Sequence, residues 1–202
     1  MKVGFIGQGF QHTLTTEAGK VINNALLSGK YNSFDAFSAF VSEAGVNNVS
    51  NAIQSFISGG GSVKLYVGVD LHGTSKEGLE ALLKKSIPTW IVHTPTTGIV
   101  YHPKLYKFKG ENDCLIVIGS SNLTGSGLYQ NIEVSLCVEY QPGEAQGEQL
   151  ENNIMSFFEG IINGTLGITQ VLDEDLLNTL INNRLVLNEE QNRIIRNSVN
   201  NH

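Results

Sequence analysis

The feature that most constrains this chain is a repeated switch in its apolar period. Short strand-like runs lie at about residues 2–7, 34–42, 63–69, 88–94, 102–109, 114–119 and 132–140, with helical-period segments at about 15–28, 46–58 and 75–85. A chain patterned in this way buries its strands between helices, as in an α/β domain. Gly59-Gly60-Gly61 closes the second helical segment, and Thr74 to Glu77 has the spacing of a capping box that opens the third. After Pro142 the period turns helical and stays so over roughly 146–162, 173–183 and 188–198. The expectation is an α/β body over residues 1–162 and a helical C-terminal appendix over 163–202, packed on the body or extending from it.

With 202 residues, 41% of them apolar, the chain can build one substantial core. No run approaches the roughly 20 apolar residues of a membrane span, and the amino terminus forms no secretory apolar region, so a cytoplasmic protein without a membrane partner is expected. Cys114 and Cys137 sit inside apolar strand runs and read as reduced core thiols. The net charge of −6 is uneven. Residues 1–140 carry ten lysines and ten acids, whereas the rest carries three arginines and nine acids. The acidity therefore belongs to the C-terminal part and does not exclude a polyanionic substrate on the body.

The opening "MKVGFIGQGF" suggests a dinucleotide-binding turn, with a strand running into Gly7-x-Gly9. The third glycine is replaced by His12, and the second strand lacks the acid such a site uses. A strand followed by a glycine loop is the simpler reading.

"YHPKLYKF" carries the chemistry. In a strand, residues two apart share a face, so His102 and Lys104 would project together, with Tyr106 and Phe108 behind them. An imidazole can attack phosphorus or move a proton, and an ammonium beside it can neutralise a phosphoryl oxygen without a metal. Taken alone, the pair is also what a solvated edge strand would show. The next apolar run, however, ends in Gly119-Ser120-Ser121-Asn122, which places small hydrogen-bonding groups where open α/β sheets bind ligands. Glu133 then opens a mostly apolar strand, either as the partner of an imidazole or as an edge residue facing water.

His102-x-Lys104, Gly119-Ser120-x-Asn122 and Glu133 together resemble the HKD motif of the phospholipase D superfamily. "GSSNLTGSGLYQNIEVSL", "AFSAFVSEAGV" and "LYVGVDLHGTSKEGLEAL" look like its branch of BfiI-type and NgoFVII-type restriction endonucleases. The resemblance covers about residues 30–140. It implies a phospholipase D-like mixed β-sheet sandwiched by helices, over residues 1–162. Most of the superfamily has an aspartate five residues after the motif lysine, where this chain has Lys109, a departure shared with that branch. By this resemblance His102 forms a covalent phosphohistidine, while Lys104, Asn122 and Ser120 hold the nonbridging oxygens. Glu133 orients an imidazole, and Thr74 and Ser75 border the substrate phosphate. A second histidine must serve the leaving oxygen. His12, His72, His93 and His202 lack the companion lysine, so a homodimer with a composite site is implied.

The expected activity is that of a metal-independent phosphodiesterase, a hydrolase of DNA acting as a restriction-type endonuclease. The alternatives are another phosphodiester, such as a phospholipid, or a noncatalytic binding module of the same fold. No cofactor is implied. None of the ten lysines has an acid two residues before it, and no zinc motif is present. Lys84, Lys85, Lys107 and Lys109 are the expected contacts to the DNA backbone. Arg184, Arg193 and Arg196 lie in no DNA-reading motif, so a separate recognition domain or subunit is allowed for.

Overall fold

A computed structural model describes residues 1–9 and 16–199, with side chains through Ile194, so His12 and His202 lie outside the described residues. Among the described residues eight strands form one sheet: β1 (Lys2–Gln8), β2 (Ser33–Ser38), β3 (Ser62–Gly68), β4 (Thr89–Val92), β5 (Lys104–Lys109), β6 (Cys114–Gly119), β7 (Glu133–Tyr140) and β8 (Thr169–Val171). Their spatial order is β1-β7-β6-β5-β2-β3-β4-β8. β2, β3 and β4 are parallel, and the other neighbouring pairs are antiparallel.

Helices cover both faces. α1 (Ala18–Leu27), α2 (Glu43–Ser58) and α3 (Lys76–Lys84) bury Ile22, Ile53 and Leu79 against Phe34, Tyr106 and Phe108 of the sheet. α6 (Glu174–Asn182) extends this layer through Leu177 and Leu180. On the opposite face α5 (Ala145–Ile162) packs Phe158 over Phe37, with ring centroids 4.2 Å apart. α4 (Gly125–Tyr129) follows β6, and α7 (Glu189–Val199) ends the described chain. Strand alternation divides β5 between the two cores: Tyr106 and Phe108 enter the three-helix side and Leu105 enters the α5 side.

The α/β class agrees with the sequence, and the differences have local causes. β5 opens at Lys104 and leaves His102 outside the ladder, because Pro103 has no N–H to donate. The Pro103 carbonyl instead accepts from Ala39 N at 2.8 Å. β2 ends at Ser38, whose hydroxyl donates to Phe40 O at 2.8 Å and turns the chain into Ser42, the cap of α2. The capping box expected at Thr74 sits one residue later, with Ser75 Oγ accepting from Gly78 N at 3.0 Å. Among the described residues the C-terminal segment from 163 onward packs on the body through Leu172, Leu177, Leu180 and Val186 and is not wholly helical, since β8 pairs with β4. β8 and α4, three and five residues long, are too short for apolar periodicity to reveal.

Cys114 and Cys137 are free thiols, and burial pushes both above their ordinary pKa. Among the described residues no helix is long and apolar enough to cross a membrane.

Candidate active site

The sheet topology gathers chemistry at one end. The carboxyl ends of β1, β2, β3, β4 and β6 lie there beside the amino ends of β5 and β7, because Lys104 pairs with Ser38 and Glu133 pairs with Gln8. His102 enters just before β5, Asn122 leaves just after β6, and Glu133 opens β7.

Lys104 is buried, and its stem lies on the side of the sheet occupied by Tyr106. Its Nζ is 2.7 Å from Nδ1 and 3.0 Å from Nε2 of His102, and it donates to the His102 carbonyl at 2.9 Å. The lysine therefore turns back onto the edge of the exposed imidazole. Burial lowers the Lys104 pKa, and the charge of Glu133 opposes that shift. Burial, and after it the charge of Lys104, lowers the His102 pKa, which favours the neutral ring. Phe40 meets the same ring edge to face, with centroids 5.3 Å apart, and Lys104 Nζ lies 5.8 Å from the Phe40 centroid.

Asn122 is held by its oxygen. Phe40 N donates to Asn122 Oδ1 at 3.2 Å, so the amide nitrogen stays available as a donor. The surrounding segment is pinned by Tyr106, whose hydroxyl donates to Ser121 O at 2.9 Å, and by Ser38 Oγ, which accepts from Leu123 N at 2.9 Å. Burial raises the Tyr106 pKa and keeps this phenol a donor. On the other flank, Asp70 accepts from Tyr101 N at 2.9 Å and lies 2.8 Å from His93 Nδ1, which fixes the backbone that leads into His102.

The remaining predicted residues are placed differently. Glu133 accepts from Asn131 Nδ2 at 3.1 Å, and no hydrogen bond joins it to His102 among the described residues. The Ser120 hydroxyl donates to Val134 O at 3.3 Å and accepts from Val134 N at 3.0 Å, so it ties β6 to β7. Thr74 is fully buried and donates to Gly68 O while accepting from Val41 N, which leaves it no access to a phosphate. Ser75 is also buried but borders a groove of about 480 Å³ that includes Phe40, Asn122 and Asn131.

The expected contacts of Lys107 and Lys109 are corrected. Lys107 is buried on the α5 face, 3.2 Å from both Asp35 and Glu151, and Lys109 pairs with Glu151 at 3.1 Å. Lys84 and Lys85 end α3, whose opposite end borders the groove. Sequence reading missed Phe40 and Ser38, which reach the site from the end of β2 and the turn after it, and Tyr101 beside His102, while Asp70, at the end of β3 where an anion could dock, serves instead to hold Tyr101 N and His93. Only Tyr106 carried a signal, its even spacing from Lys104. Among the described residues no cluster of three His, Cys, Asp or Glu could hold a metal ion.

No family profile matches the chain, and no curated protein matches it. Solved structures match by shape. Nuc from Salmonella typhimurium, a phospholipase D family member, aligns over 86% of this chain and 99% of its own, with a TM-score of 0.58 at 16% identity. NucT from Helicobacter pylori aligns over 78% of this chain and 96% of its own, with a TM-score of 0.51 at 16% identity. Phosphatidylserine synthase from Haemophilus influenzae Rd KW20 aligns over 84% of this chain and 40% of its own, with a TM-score of 0.55 at 14% identity. The chain thus has the phospholipase D-like fold, a mixed eight-stranded sheet between helical layers.

Proposed function

We propose that this protein is a metal-independent phosphodiesterase of the phospholipase D type, with DNA as substrate, acting as the catalytic unit of a restriction-type endonuclease. The observation that carries the reading is the buried Lys104 ammonium folded onto the exposed, neutral-leaning His102 imidazole. The available Asn122 amide nitrogen lies at the same sheet end. A neutral imidazole is a nucleophile, and the ammonium and amide can hold the nonbridging oxygens as charge builds on them.

In the proposed reaction a His102 nitrogen attacks phosphorus in line. The new N–P bond forms as the P–O bond to the leaving strand breaks, and a second histidine donates the proton that this oxygen takes. Water then attacks the phosphohistidine, loses a proton to the second histidine and restores the free imidazole. The second histidine is His102 of another copy, and Glu133 orients an imidazole in the composite site.

The dimer has a surface to use. Phe5, Ile118, Val134 and Leu136 form an apolar patch where α5 leaves its own side of the sheet bare, at the same sheet end as Glu133 but on the opposite face, and Phe5 is 71% exposed. A second copy is the occupant the mechanism requires, whereas sequence recognition falls to a separate domain or subunit. DNA cleavage in EDTA should persist in the wild type and vanish in His102→Ala. A requirement for magnesium, or activity without His102, refutes the mechanism, and an active monomer in sedimentation refutes the composite site.

A further inference from the structure

The groove that holds Asn122 is also lined by α7. Glu189 docks that helix: its carboxylate accepts from Glu43 N at 3.0 Å and from Ser75 Oγ at 3.1 Å, joining the first turns of α2 and α3. Asn192 and Arg193, in the next turn of α7, complete the groove wall. Phe40, the ring already in contact with His102, lines the same groove.

The lining suits one kind of ligand. Phe40 offers an aromatic surface, while Asn122, Gln130, Asn131 and Asn192 offer amides and Arg193 a cation. The volume of about 480 Å³ falls within the range of small-ligand sites. Asn192 is only 7% exposed, yet its side-chain oxygen has no hydrogen-bond partner among the described residues. A buried acceptor left unpaired is costly; its residue lines a polar groove, and a turn of the amide toward a donor arriving there would relieve it. An aromatic ring and an unmet acceptor in one groove, beside a phosphate-handling pair, match a nucleoside whose base carries an exocyclic amine.

We propose that this groove seats the nucleoside adjoining the scissile phosphate and that Asn192 reads its base. Resting on the nuclease reading above, the proposal gives α7, in the C-terminal segment, a preference for the one base beside the cut, in addition to recognition of the wider sequence by a separate domain or subunit. Phe40 stacks on the base, which leaves the attached phosphate beside His102. An asparagine amide can pair with adenine through two hydrogen bonds, with its oxygen accepting from the amine and its nitrogen donating to the ring. Thymine and uracil present no amine to the Asn192 oxygen.

The test is to cleave random-sequence DNA and RNA pools and sequence the ends. At one position beside the cut, adenine should be favoured over thymine or uracil by about tenfold. Asn192→Leu, checked for an unchanged melting curve, should flatten that bias. Cutting without bias next to the break, or a bias that Asn192→Leu leaves intact, overturns the proposal. A second measurement needs no change at Asn192: a 5-iodocytosine oligonucleotide bound to the His102→Ala chain should photocross-link to Phe40 or to the peptide carrying Asn192. Cross-links confined to other regions overturn the proposal equally. Hydrolysis of bis(p-nitrophenyl) phosphate by the wild type in EDTA separates the two levels. If it is absent, the phosphodiesterase reading itself falls; if it proceeds while the pools show no bias, only the groove assignment falls.

Discussion

Two lysines on one strand, three residues apart, meet opposite fates. Lys107 points toward α5, where Asp35 and Glu151 lie within 3.2 Å and Tyr140 donates to the same Glu151 at 2.8 Å. Lys104 points the other way and finds a neutral imidazole as its nearest partner. Both ammonium groups are buried, and burial of a charge is costly without a counter-ion. The first is compensated and serves structure. The second is left under-compensated at a surface opening, the condition that suits a group meant to receive an anion.

The comparison is broken most sharply by removing each charge in turn. Lys104→Met should lower DNA cleavage by at least about a thousandfold, the scale of losing a donor to a developing oxyanion. Its melting temperature should hold or rise, because no ion pair is lost. Parallel loss of activity and fold would place Lys104 with Lys107. Glu151→Ala should do the reverse. Removing one partner from a buried ionic cluster costs about 3 kcal/mol, while cleavage per folded molecule stays at the wild-type level.

The same cluster carries a pH signature. Burial acts to raise the Glu151 pKa, but hydrogen bonds from Tyr140 and Lys109 and the charge of Lys107 prevail and hold it below the ordinary 4.5. A carboxylate with a depressed folded-state pKa contributes its full stability above the ordinary value and loses it as pH falls through the folded value. Acid unfolding of the wild type should therefore steepen below pH 4.5, and Glu151→Gln should remove that component in denaturant titrations at successive pH values.

A smaller effect belongs to Asp70, which touches neither Lys104 nor Asn122. By holding Tyr101 N and His93 it sets the backbone that delivers His102. Asp70→Asn should reduce kcat about tenfold with KM nearly unchanged, a loss typical of a displaced reacting group. Equal losses in binding and turnover would point to a general loosening instead.

The sequence disclosed this site unevenly, for physical reasons. His102, Lys104, Asn122 and Glu133 stand at strand ends that apolar periodicity locates well, and their common end follows from the α/β pattern. The roles of Lys107 and Lys109 were misread because their partner Glu151 lies more than 40 residues away on α5, a contact that no local pattern encodes. Period two already separated Lys107 from the face of Lys104, and that signal was present to be used. Thr74 and Ser75 look alike in sequence, yet a one-residue shift of the cap buries the first and sets the second on a groove.

The finest effect concerns how strongly the two members of the pair feel each other. The His102 pKa lies below the ordinary 6.5, first through burial and second through the charge of Lys104. An attacking imidazole must be neutral, so the acid limb of kcat/KM should fall below pH 6.5. Lys104→Met removes the second cause and keeps the first, so the His102 titration followed by NMR should move only partly back toward the ordinary value. An unmoved titration would mean that the ammonium does not act on the ring electrostatically. The close approach of Lys104 would then be packing, as unreactive as the pairs around Lys107.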